Sequence, residues 1–172
     1  MKRVVFLKIW ISSIVYICFT LVLGACSLEE NKVTIPEDAP EFVKKSDIES
    51  INWENKAVKF NDGMIGNKHK VGIIGANQPN TNEQKWMWHL WGEDIQNATL
   101  TVLGYQPESN EIHPILFDHG SEQMIWSQKL GPPHNGADVH MPSMVSVPKA
   151  GDWALLLYVD GEYFDTVVHE IN

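Results

Sequence analysis

The strongest constraint on this chain is its punctuation. From Lys56 onward, short runs rich in Val, Ile, Leu and aromatic residues are broken every 8–15 residues by Gly, Asn, Pro or Asp. Runs this short suit strands and are too brief for packed helices. The pattern predicts strands over Ala57–Phe60, His69–Ile74, Lys85–Trp91, Ala98–Tyr105, Ile112–Phe117, Glu122–Gln128, Met144–Val147, Ala154–Val159 and Tyr163–Ile171. Several alternate with period two, as in Thr99-Leu100-Thr101-Val102, which places the apolar residues on one face. The last two runs are joined by Asp160-Gly161. Both central positions of a type I′ hairpin turn need positive φ, which Asp and Gly tolerate. No window after residue 25 carries a convincing helix pattern. The expectation is an all-β fold, an immunoglobulin-like antiparallel sandwich of about 7–9 short strands.

The first 25 residues are of another kind. Lys2, Arg3 and Lys8 precede an apolar run from Ile9 to Leu23. That run is short for a bilayer span of roughly 20 apolar residues and suits the central region of an export signal. It ends in Leu23-Gly24-Ala25-Cys26, which resembles the lipobox of bacterial lipoproteins. The resemblance implies cleavage before Cys26 and a diacylglycerol thioether on its sulfur. The chain would then be anchored to the outer face of the cell membrane by lipid. The other cysteine, Cys18, lies inside the signal, so the mature chain has no pair for a disulfide and must rely on a packed core.

Residues 26–52 are polar and acidic, with Pro36 and Pro40, and read as a tether. Phe42, Val43 and Ile48 are the residues by which it could pack on the domain edge or form a short helix. The domain proper is expected at 53–172. The signal holds three of the 13 basic residues and none of the 22 acidic ones, so the exported part is strongly acidic. Phosphate binding needs clustered Lys and Arg, and nucleic acid is therefore not an expected partner.

Two segments are dense in chemistry. In Gln84-Lys85-Trp86-Met87-Trp88-His89-Leu90-Trp91-Gly92, alternation sends Trp86, Trp88 and Leu90 to one face. Met87, His89 and Trp91 take the other. That second face is either buried, with His89 hydrogen-bonded inside, or a ligand platform where Trp91 stacks on a sugar ring or cation. The segment from Pro132 to Met144 reads as a long loop. Its His134, His140, Met141 and Met144 are candidate ligands for copper or zinc, since imidazole suits both and thioether favours Cu(I). Against a metal, no two histidines fall at a recognised metal spacing.

Catalytic signatures do not appear. There is no Gly-x-Ser-x-Gly elbow and no His-Glu-x-x-His. Asp118, His119 and Ser121 are too close in sequence for a triad and fit a turn. The expectation is a non-enzymatic binding or accessory module with no cofactor, its partner an envelope protein or glycan. A copper- or zinc-handling role through the His/Met segment is the alternative.

The tryptophan-rich segment and the stretches His140-Met141-Pro142-Ser143 and Pro148-Lys149-Ala150-Gly151-Asp152-Trp153, with the Val159-Asp160-Gly161 hairpin, resemble a family of small uncharacterised lipoproteins of Bacillus-like Gram-positive bacteria. That resemblance implies a lipobox signal, a short tether and one immunoglobulin-like domain, and no assigned activity. A weaker likeness is to the small copper-carrying sandwich proteins of bacterial envelopes; this chain lacks their dense Met-x-Met run.

Overall fold

The computed structural model describes residues 33–61, 63–76 and 81–172. The expected export signal and Cys26 lie outside the described residues. The folded unit runs from Val33 to Asn172. After a one-turn helix, α1 (Lys45–Glu49), the chain is a succession of strands. They are β1 (Val58–Phe60), β2 (Met64–Asn67), β3 (Val71–Ile74), β4 (Gln84–Leu90), β5 (Thr99–Gln106), β6 (Glu111–Pro114) and β7 (Leu116–Asp118). Then follow β8 (Gln123–Ile125), β9 (Ser127–Lys129), β10 (Val139–Val145), β11 (Gly151–Val159) and β12 (Glu162–Ile171). One antiparallel sheet has the order β1-β2-β3-β4-β10-β7-β8. The other is β12-β11-β5-β6, with β9 also pairing β5.

The all-β sandwich is as expected; the strands number twelve among the described residues because two of the nine predicted runs each serve both sheets and β2 is added to them. The run at 112–117 breaks at Ile115, leaving β6 on β5 and β7 on β10. The run at 122–128 breaks at Trp126, leaving β8 on β7 and β9 on β5. β2, which no predicted run covers, is a paired strand. At the β11–β12 hairpin Asp160 and Gly161 take φ of 48° and 86°, the backbone the Asp-Gly pair predicts.

The facing sides of the two sheets form one core. Trp86, Trp88 and Leu90 of β4 meet Val139 and Met141 of β10, with Leu100 and Val102 of β5 and Trp153, Leu155 and Leu157 of β11. Trp86 and Trp88 lie 5.7 Å apart in a tilted pair. The Trp88 indole donates to Ser143 Oγ at 2.9 Å, which satisfies a polar group that would be costly to bury alone.

The expectation of a tether reaching to residue 52 is corrected from Val33 onward. Leu103, Tyr105, Leu156, Tyr158 and Val168 lie on the far face of the five-stranded sheet, and Val43 and Ile48 close over them. Phe42 packs on Tyr158 at 5.4 Å and Trp53 on Tyr105 at 6.1 Å. Polar contacts fix the segment's register: the Tyr158 hydroxyl donates to Asp47 and the Trp126 indole to Asp38. Thr34 bridges to Glu111. The physical reason is apolar supply. β11 is buried on both faces from Trp153 to Val159, and a doubly apolar strand needs cover on each side.

The sheet edges are short or covered. β1 and β8, the ends of the larger sheet, have three residues each. β12 is long, but Lys56 bridges to Val168 and the Ala57 amide donates to its carbonyl.

Candidate functional site

The outward face of β4 carries Met87 and His89, with Trp91 just beyond its end. β10 lies antiparallel beside it, pairing His140 with His89, Pro142 with Met87, and Met144 with Lys85. Directly paired residues share a face, so His89 and His140 project together. β10 alternates as strictly as β4. Val139, Met141, Ser143 and Val145 are buried, while His140, Pro142 and Met144 face out.

That alternation corrects the predicted metal set. Met141 is fully buried in the inter-sheet core, on the opposite face from His140. Met144 faces out but lies four residues along the strand, on the order of 13 Å away at 3.3–3.4 Å per residue. The segment read as a loop from 132 to 144 is loop only to Asp138, because the β10 ladder begins at Val139. Pro142 is tolerated inside β10 because β7 pairs only Met144 and Val145, leaving that side an edge at the proline.

The structure instead brings together three imidazoles that the sequence had divided between two candidate sites. The 131–138 loop folds back over β4 and sets His134 Nδ1 at 3.3 Å from His89 Nε2. His134 stacks on His140 with centroids 4.8 Å apart. Asn135 Nδ2 lies 3.4 Å from His89 Nε2. His89 Nδ1–H donates to the Met87 carbonyl at 3.2 Å, and His140 Nδ1–H to the Pro132 carbonyl at 2.6 Å. His89 has no solvent exposure, yet its cover is the exposed His134 and Asn135. Burial lowers the His89 pKa, with the neighbouring His134 and His140 adding to the effect and the Met87 carbonyl opposing it. Burial thus favours the uncharged ring, and with Nδ1–H held by Met87 its Nε2 is the acceptor that faces His134 and Asn135. Among the described residues no group of three or more His, Cys, Asp or Glu is arranged as it stands to hold a metal ion.

An open cleft of about 600 Å³ includes Asp138, at the end of the same loop, in its lining. Trp91 forms part of its wall, and His69, Glu93, Asp94, Gln96 and Asp138 supply polar groups. Trp91 fits because Gly72 lies beneath it. A β-carbon there would stand 3.3 Å from the indole and 2.9 Å from both Phe60 and Met64. The indole N–H donates to the Gly136 carbonyl at 2.7 Å, and Asp138 accepts from the Gly92 amide at 2.9 Å. Of the ligand-binding candidates, Trp91 reaches this cleft; His89 and Met87 do not line it. Sequence reasoning missed the cleft's polar residues. Their signal was weak, being scattered charges in turns, including His69 and Asp94 at positive φ.

No curated protein matches the chain. Among solved structures, the chain is similar to a Bacillus anthracis protein whose description is that of a candidate lipoprotein. The two share 22% identity and a TM-score of 0.62 over 78% of this chain and 97% of the other, a likeness of fold. A family profile spans residues 42–169, which includes both sheets, the imidazole cluster and the cleft. The chain belongs to that family, described as a domain of unknown function (DUF4871).

Proposed function

We propose that this protein is a lipid-anchored, non-enzymatic binding module on the outer face of the cell membrane. Its domain is an immunoglobulin-like sandwich, and its ligand is a glycan of the envelope held in the Trp91 cleft. The anchoring is supported by the Leu23-Gly24-Ala25-Cys26 sequence and by likeness of fold to a candidate lipoprotein. No helix among the described residues is long and apolar enough to cross a membrane.

The observation that carries the ligand is the pairing of an indole with a polar, open cleft. A sugar presents an apolar C–H face and a rim of hydroxyls, and an aromatic ring meets the first. Carboxylates and an amide meet the second, with Glu93, Asp94 and Asp138 as acceptors and Gln96 as both donor and acceptor. The cleft's acidity favours neutral or amine-bearing sugars over anionic polymers.

The test is calorimetric titration of the full chain in detergent with soluble fragments of wall glycan. Binding by the wild type that is lost in Trp91→Ala, with far-UV circular dichroism unchanged, is the expected outcome. Equal binding by both proteins, or none by either, overturns the assignment.

A further inference from the structure

We propose that His89, His134 and His140 form a binding site for a divalent transition metal of the zinc or copper(II) type, closed by the 131–138 loop. The site stands apart from the glycan reading: none of the three imidazoles lines the Trp91 cleft.

Three geometric facts carry it. His89 and His140 are direct cross-strand partners on one face, so their β-carbons are about 4.5–5.5 Å apart, within reach of one ion. Each has its Nδ1–H held by a backbone carbonyl, Met87 for His89 and Pro132 for His140. That fixes the tautomer in which Nε2 offers a lone pair, the outer-shell arrangement found behind metal-binding histidines. The third fact is a distance. Two nitrogens bound at about 2.0–2.1 Å in tetrahedral geometry lie about 3.3 Å apart, and His89 Nε2 and His134 Nδ1 are 3.3 Å apart.

Without metal, that separation is bridged by the His134 Nδ1 proton. With metal, the ion takes the proton's place and His134 carries its hydrogen on Nε2. The three rings do not yet converge on one point, and His134 is the one that has to turn. It can do so because it is exposed, on a loop with Gly136 two residues away. Asn135, already 3.4 Å from His89 Nε2, offers its side-chain oxygen as a fourth ligand once its amide turns over; water is the alternative. All-imidazole ligation favours zinc or copper(II) over copper(I), which prefers sulfur. Two of the other histidines have different partners: His119 packs edge-on against Phe117 and His169 is tied to the Ala76 carbonyl.

The full chain in detergent, stripped with EDTA, is titrated with ZnCl2 or CuSO4 alone, and with CoCl2 while the visible spectrum is recorded. The expected result is one equivalent of zinc per chain with submicromolar affinity and intense tetrahedral cobalt bands. His134→Ala and His140→Ala, both at positions with solvent exposure, each weaken zinc binding by at least about tenfold, while His119→Ala leaves it unchanged. Absence of zinc and copper binding at micromolar concentration, or binding indifferent to both variants, overturns the proposal and leaves a hydrogen-bonded imidazole cluster only. Glycan titrations of the same samples keep the two readings separate, since His140→Ala, which does not line the Trp91 cleft, weakens zinc binding and leaves sugar binding in place.

Discussion

His169 sits at the end of β12 with its Nε2–H donating to the Ala76 carbonyl at 2.9 Å. Burial lowers its pKa, against the raising effects of that carbonyl and of Glu170 and Asp152. The sign of the linkage follows. The unfolded ring titrates near the ordinary histidine value of about 6.5 and the folded ring below it, so acid favours the unfolded state. The stabilisation is full above pH 6.5 and declines as pH falls through and below it. His89 shifts in the same direction and adds to the slope. We expect the urea midpoint to drop between pH 7.5 and 5.5, and to drop less in His169→Gln, which keeps a donor for Ala76 without the titrating ring. An equal drop in the variant would assign the slope to other groups. Asp165 has the opposite character. Burial raises its pKa against the hydrogen bond from Asn67, so its ionisation opposes folding at neutral pH.

At the scale of elements, the segment from Val33 to Trp53 decides how the five-stranded sheet can exist. Ile48 on α1 is buried against Leu156 and its neighbours. Ile48→Ala is expected to destabilise by about 2–5 kcal/mol, the range for emptying a buried aliphatic site, as read from urea unfolding. A mere tether residue would cost nothing measurable. The signal for this cover was present in the sequence. Ala154-Leu155-Leu156-Leu157-Tyr158 is apolar on both alternating faces, so a second layer was required. Phe42, Val43 and Ile48 were its visible candidates and do supply it; the acidity and prolines around them made the rest of residues 33–52 read as tether. Strand alternation was legible in β4 and β11, and the turn at Asp160-Gly161 was legible outright. The sheet switches at Ile115 and Trp126 were not, because alternation says which face a residue takes and never which sheet. The same gap split the imidazole site. His89 and His140 are neighbours only through β4–β10 pairing, a contact 51 positions apart that no local pattern contains, and Met141 stayed among the ligands for want of the β10 register.

For the whole molecule, the two faces of the sandwich have unequal duties. The far face of the five-stranded sheet is occupied by the chain's own N-terminal segment. The outward face of the seven-stranded sheet carries the imidazole cluster, with the Trp91 cleft at the end of β4. A protein used this way needs to be held at its surface, and Cys26 is the proposed point of attachment. Replacing Cys26 with Ser is expected to release the protein from membranes into the medium with its domain folded, and to abolish incorporation of labelled palmitate. Retention on the membrane without label would mean that an uncleaved apolar N-terminus does the anchoring.

The blunt sheet edges gain importance in that setting. Molecules tethered to one plane meet each other far more often than the same number free in solution, and strand edges are where sandwich proteins fuse irreversibly. β1 and β8 end after three residues each, and Val168, in the outermost strand of the smaller sheet, is already bridged by Lys56. At β1 and β8 a crowded neighbour finds little backbone to zip onto, and at β12 the Lys56 bridge interrupts the edge at Val168, so domains held close in one plane are hindered from fusing through these strands.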